Sequence, residues 1–148
     1  MRKSLLAFFV SVILLSACRK NDIESPGLSG SWRLIQVDDK STGTTTYRPA
    51  GANMDVVIKF LNGNSFSGHT IRNGFSDGTF SKNGNAITFG SFSMTKVQED
   101  EWGGSFITVL HSCYLQSVSP CSPSTITIRG NLMKITTALR YDVTLEKI

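Results

Sequence analysis

Three cysteines and two histidines are the metal-binding or nucleophilic side chains of this 148-residue chain. Their positions separate them into different kinds of chemistry. Cys18 closes the stretch Leu15-Ser16-Ala17-Cys18, behind an apolar run from Leu5 to Leu15 broken only by Ser11, with Arg2 and Lys3 in front. A basic start, a short apolar run and two small residues form a secretory signal, and the cysteine directly after them makes it a bacterial lipoprotein signal. The expected cleavage falls between Ala17 and Cys18, with diacylglycerol on the Cys18 thiol. As a helix the apolar run is about 16 Å long, against a hydrocarbon core of about 30 Å, too short to span stably. One acyl chain gives reversible binding and two or more give a stable anchor. The folded part is thus expected to sit in water beside a membrane, at the periplasmic face of the outer membrane or on the cell surface.

Cys113 and Cys121 are the remaining pair. An exported chain meets an oxidising space, so they are expected to form a disulfide. The ring of about nine residues is worth roughly 2.5 kcal/mol in the chain-entropy model. Pro120 and Pro123 flank the second cysteine and stiffen the loop. A thiol nucleophile at Cys113 would need His111, but residues two apart on a helix do not face each other. His69 falls on the strand face opposite Phe66, far in sequence from His111, and neither has partners at metal-ligand spacing. Glu99-Asp100-Glu101 lacks the glycine and alternating oxygen ligands of a calcium loop. No nucleophile elbow, phosphate loop or dinucleotide fingerprint occurs. No catalytic residue, metal or cofactor is therefore expected.

Charge narrows the partners. The formal net charge is +4, of which Arg2 and Lys3 supply two. No basic stripe remains in the exported part, so nucleic acid is excluded as an expected partner. Residues 18–27 are polar and without apolar period, and read as a lipidated flexible tether. Residues 28–148 are enough for one domain with its own core.

The elements that must carry these residues are mostly strands. Trp32 to Val37 reads as the first, ended by Asp38-Asp39-Lys40. Ser41 to Asn53 is a polar loop with an edge strand near Thr44 to Arg48. Met54, Val56, Ile58 and Phe60 alternate with polar neighbours as one face of a strand. Asn62-Gly63-Asn64 turns into a return strand, Ser65 to Ile71. Asn73-Gly74 and Asp77-Gly78 read as turns. Thr79–Lys82 and Ala86–Gly90 form a hairpin with Phe80, Ile87 and Phe89 as core candidates. Gln98-Glu99-Asp100-Glu101 supplies the acids that favour a helix N-terminus. Trp102, Phe106, Val109, Leu110 and Cys113 continue as an apolar stripe, predicting a helix over about 98–113. Gly103-Gly104 weakens it by roughly 1 kcal/mol per glycine. Thr125–Ile128, Leu132–Thr137 and Asp142–Ile148 are the last strands. About eight strands with one helix predict a mainly β fold: a single small antiparallel barrel or strongly curled sheet plugged by the helix.

Several of these residues occur in a family order. Leu28-x-Gly30-x-Trp32-x-Leu34 is followed by Phe60, Gly63-Asn64-Ser65-Phe66-Ser67-Gly68, Asn73 and Phe80. Ser93-Met94-Thr95, Leu110, Ile128, Gly130-Asn131-Leu132, Ile135 and Leu145 complete the series. Over residues 28–148 the chain resembles the META domain, the HslJ-like domain of bacterial envelope lipoproteins. The resemblance implies a small β-rich envelope domain linked to stress tolerance, without established catalytic residues. Members often carry cysteines where this chain has Arg72 and about Val97, so Cys113–Cys121 would stand in for that bridge. A second resemblance, through Gly30-x-Trp32 and the antiparallel strands, is to lipocalin-like domains. It implies a barrel with a cavity for a small apolar ligand. The expected roles are therefore an anchored, non-catalytic interaction or structural module contacting an envelope protein or polymer, or an apolar-ligand binder.

Overall fold

The computed structural model describes residues 27–148 apart from Ala52 and Met54. Ala17, Cys18, the signal segment and the tether up to Pro26 lie outside the described residues, as does Met54 as a core-face residue.

Eight antiparallel strands close a barrel. They are β1 (Gly30–Asp39), β3 (Val57–Leu61), β4 (Ser65–His69), β5 (Gly74–Asn83), β6 (Ala86–Phe89), β8 (Ser124–Arg129), β9 (Leu132–Thr136) and β10 (Tyr141–Lys147). Each pairs with the next, and β10 returns to β1 to complete the circuit. Two short strands are added: β2 (Thr44–Tyr47) on the C-terminal half of β1, and β7 (Ser93–Met94) on the start of β5. The barrel matches the sequence expectation, with β7 as the strand it lacked.

Period-two alternation selects the core. Val56, Ile58 and Phe60 are buried while Val57 and Lys59 are not. Trp32, Leu34, Ile135, Val143 and Leu145 enter from the closing strands. Edge-to-face aromatic contacts fill the middle. Phe66 meets Phe89 at 5.7 Å between centroids, and Phe60 meets Phe80 at 5.3 Å. Phe80 itself is only half-buried.

Three expectations need correction. β1 does not stop at the acids but runs on to Asp39, because Asp38 and Asp39 find partners on β10 and β2 and cations beside them. Asp77-Gly78 is not a turn. Asp77 has φ +56°, and the register slips between Phe66 and Gly68, so two residues of β5 oppose one of β4 in a bulge. The helix is shorter than 98–113. α1 spans Glu101–Leu110 and a separate turn of helix, α2, spans Ser112–Leu115 and holds Cys113. Asp100 is the N-cap, accepting from the Gly103 amide at 2.7 Å, so Gln98 and Glu99 precede the helix. Gly103 leaves room for the side chains packed on the first turn. A Cβ there would lie 2.5 Å from Glu99 Oε2 and 3.1 Å from Thr70 Cβ.

Trp102, Phe106, Val109 and Leu110 all point into the barrel as the stripe predicted. α1 thus closes one pole, where β1 ends and β10 begins. The chain enters at the other pole. There the Lys147 ammonium donates to the Gly27 and Ser29 carbonyls and lies 5.0 Å from the centroid of the Trp32 ring.

Candidate functional site

Three clefts flank α1 at the helix-closed pole, one of them, about 530 Å³, set between Pro49, Ile71, Arg72 and the helix start. A second, about 180 Å³, is lined by Asp39, Thr46, Glu101, Trp102, Ser105 and Tyr141. β1, β2 and β10 supply its walls because they extend past the barrel rim beside the helix N-terminus. Its chemistry is already satisfied internally. Arg140 Nε donates to both Asp39 oxygens at 2.9 and 3.0 Å, and the Ser41 hydroxyl donates to the same carboxylate at 2.7 Å. That guanidinium, followed by the Ser41 hydrogen bonds, holds the Asp39 carboxyl well below the usual carboxylate range. Arg140 is raised in turn and lies over the Tyr141 ring at 4.9 Å. Ser105 donates to the Glu101 carbonyl at 2.8 Å, a helix-internal bond. The Trp102 indole N–H is buried without a partner among the described residues. Asp39 is thus neutralised by an arginine and Ser105 is bonded to its own helix, which ties up these two groups.

The third cleft, about 390 Å³, lies at the other end of α1. Phe89, Phe92, Leu110, His111, Cys113 and Tyr114 line it. The His111 ring stacks on Phe92 at 4.6 Å and 18°, and burial pushes its pKa below the ordinary 6.5. His111 caps α1, with its amide donating to Ile107 at 2.9 Å. Cys113 and Cys121 are disulfide-bonded, with Cα atoms 5.2 Å apart. Beside this cleft, Tyr114, Leu115 and Val118 are 84%, 47% and 60% exposed. Three exposed apolar side chains within five residues form a patch, unlike the scattered Tyr47, Leu61 and Leu132.

The residues singled out in sequence do not converge. His69 is exposed, its Nδ1 3.2 Å from the Thr70 carbonyl. His111 is distant from it in the fold's order and packed on aromatics. The disulfide removes the Cys113 thiol. Glu99, Asp100 and Glu101 point three ways. Glu99 Oε1 accepts from the Thr70 hydroxyl at 2.7 Å and the Asn73 amide at 2.5 Å, Asp100 caps the helix, and Glu101 is exposed. Among the described residues no three His, Cys, Asp or Glu side chains are grouped to hold a metal ion.

Sequence reasoning missed the apolar patch. A signal for it exists: from Trp102 through Ile128 the chain carries no Asp, Glu, Lys or Arg. Such a stretch is expected in a core, but its middle, from Tyr114 to Pro123, is mostly surface.

No family model and no curated protein matches this chain. Among solved structures it is similar to an NMR structure of a protein from Burkholderia xenovorans, with a TM-score of 0.58 and 16% identity, covering 81% of this chain and 82% of that one. A second NMR structure gives a TM-score of 0.55 at 14% identity, covering 80% and 88%. What these likenesses show is a shared barrel fold.

Proposed function

We propose that this protein is a lipid-anchored envelope lipoprotein whose barrel is a non-catalytic interaction module, working by surface contact and not by chemistry or enclosure. The packed interior carries this reading. Trp32, Phe60, Phe66 and Phe106 are each no more than 1% exposed and occupy the space a ligand would need. A lipocalin-like binder requires an enclosed apolar cavity of about 300 Å³ or more, and the three clefts beside α1 open at the surface. The lipoprotein signal ending at Cys18 and the resemblance to the META domain support an envelope setting. In this reading the anchor is the Cys18 acyl group; among the described residues no helix is long and apolar enough to cross a membrane.

The test is fractionation of cells expressing the wild-type chain and Cys18→Ser. The wild type is expected in the membrane fraction with an acylated N-terminal cysteine by mass spectrometry. Cys18→Ser is expected to stay unprocessed. A Cys18→Ser chain that is cleaved normally and remains with the membrane overturns the reading.

A further inference from the structure

The apolar loop at the helix-closed pole has an architecture of its own. It is tied twice at its base. The Cys113–Cys121 bond is one tie. The other is a reciprocal pair in which Gln116 Nε2 donates to the Ser122 carbonyl at 2.8 Å and the Ser122 amide donates to Gln116 Oε1 at 2.7 Å. The loop's one amide side chain is thereby satisfied within the loop, and Tyr114, Leu115 and Val118 are left pointing outward. Two ties at the base narrow the loop's freedom, so less ordering entropy remains to be lost on docking.

We infer that this loop docks into the interfacial layer of a lipid bilayer, with Tyr114, Leu115 and Val118 entering the headgroup–acyl boundary. The absence of charge decides between a bilayer and a protein. Protein interfaces carry a polar, charged rim around an apolar centre. Here no charged residue occurs between Glu101 and Arg129, a span covering the loop and both its approaches. A bilayer interior penalises charge strongly, and tyrosine is enriched at the membrane–water interface. A contact made only of uncharged, apolar-tipped surface suits lipid better than protein.

The geometry of the tether permits it. From Cys18 to Gly27 there are nine peptide steps, about 30 Å when extended. The ten residues of β1 span about 33 Å along the strand, which at the usual tilt of about 40° is about 25 Å along the barrel axis. The chain enters at the pole opposite the loop, so a lipid-anchored barrel has just enough slack to lie with its loop in the same leaflet. The inference names the partner for the surface-contact role proposed above and rests on it. Vesicle binding by the loop, however, does not depend on Cys18.

The experiment uses the unlipidated chain from Arg19 to Ile148, which retains all ten strands, both helices and the disulfide. It is sedimented with phosphatidylethanolamine–phosphatidylglycerol vesicles over a range of lipid concentrations, at low and high salt. Partitioning is expected to persist at high salt, and Tyr114→Ser/Leu115→Ser/Val118→Ser to weaken it roughly tenfold or more. The thermal midpoint should stay close to wild type, because the three side chains are exposed. No partitioning by the wild-type chain, partitioning abolished by salt, or a triple variant that binds equally well each overturns the inference. A photo-cross-linker at position 118 in intact envelopes should label lipid. A discrete protein adduct instead would assign the loop to a protein partner and overturn the bilayer. Acylation of Cys18 is read separately by mass spectrometry, so loss of the anchor reading and loss of the docking loop are distinguishable.

Discussion

Asn73 is uncharged and 2% exposed, yet it holds more of the pole together than any ionic group near it. Its Oδ1 accepts from the Val97 amide at 2.8 Å and the Thr95 hydroxyl at 2.9 Å. Its Nδ2 donates to the Val97 carbonyl at 2.7 Å and to Glu99. The segment leading from β7 to α1 is thus fastened to the β4–β5 connection by four hydrogen bonds of one side chain, beside the Thr70–Glu99 bond. Asn73→Ala leaves several groups buried without partners, each costing about 1–3 kcal/mol. A loss of at least about 2 kcal/mol by urea denaturation is expected. Asn73→Asp should be nearly as damaging, since it swaps a donor for an acceptor facing Val97 O and Glu99. If Asn73→Asp keeps wild-type stability, the donor assignment is wrong. Gly78 is the other exacting residue. A Cβ there would lie 2.5 Å from the Phe66 ring. Gly78→Ala should cost about 1–3 kcal/mol by overpacking, and Phe66→Leu should recover part of that in the double variant. Strictly additive losses would show that the two do not collide.

At the scale of elements, α1 depends on its cap. Asp100→Ala should cost about 1 kcal/mol and Asp100→Ser much less, measured by thermal unfolding. An equal loss for both would point to the Asp100 charge beside Arg72, 3.9 Å away, and not to capping. The helix stripe was legible in sequence because Trp102, Phe106, Val109 and Leu110 recur with helical period. Its start was not, because the acids from Glu99 to Glu101 all suit a helix N-terminus and only packing around Thr70 and Asn73 draws Glu99 inward. The strands from Val56 to Phe60 and from Leu132 on were legible for the same reason of period. β5 was not, because Asp77-Gly78 has the composition of a turn and only pairing with β4 makes it a bulge. The apolar loop escaped notice because its residues look like a continuation of the core stripe. Exposure, which decides between core and docking surface, is a property of the fold and not of the spacing.

For the whole molecule the decisive contact is the seam between β1 and β10, where strands more than a hundred positions apart close the barrel. One end of that seam is ionic. Lys134 reaches Asp38 at 3.1 Å, Arg140 holds Asp39, and Lys40 reaches Asp142 at 3.1 Å. Hydrogen bonds from Gln36, Thr45 and Lys134 outweigh burial and lower Asp38, and Arg140 lowers Asp39. A carboxylate lowered in the folded state binds fewer protons there than when unfolded. Its stabilisation is complete above the ordinary 3.8 and is lost as pH falls through the folded value. His111 acts at higher pH with the same sign. Burial lowers it from 6.5, so the unfolded chain takes up its proton first and stability begins to fall below about 6.5. Two stages are therefore expected in denaturant midpoint against pH: a shallow loss below about 6.5 and a steeper one below about 3.8. His111→Phe should remove the first stage alone. Lys134→Ala/Arg140→Ala should make the second shallower, because Asp39 then loses the partner that lowers it most and Asp38 loses one of three. A second stage unchanged in that double variant would mean that acid opens the barrel elsewhere than at this end of its seam, the Arg33–Glu146 pair at the other end included.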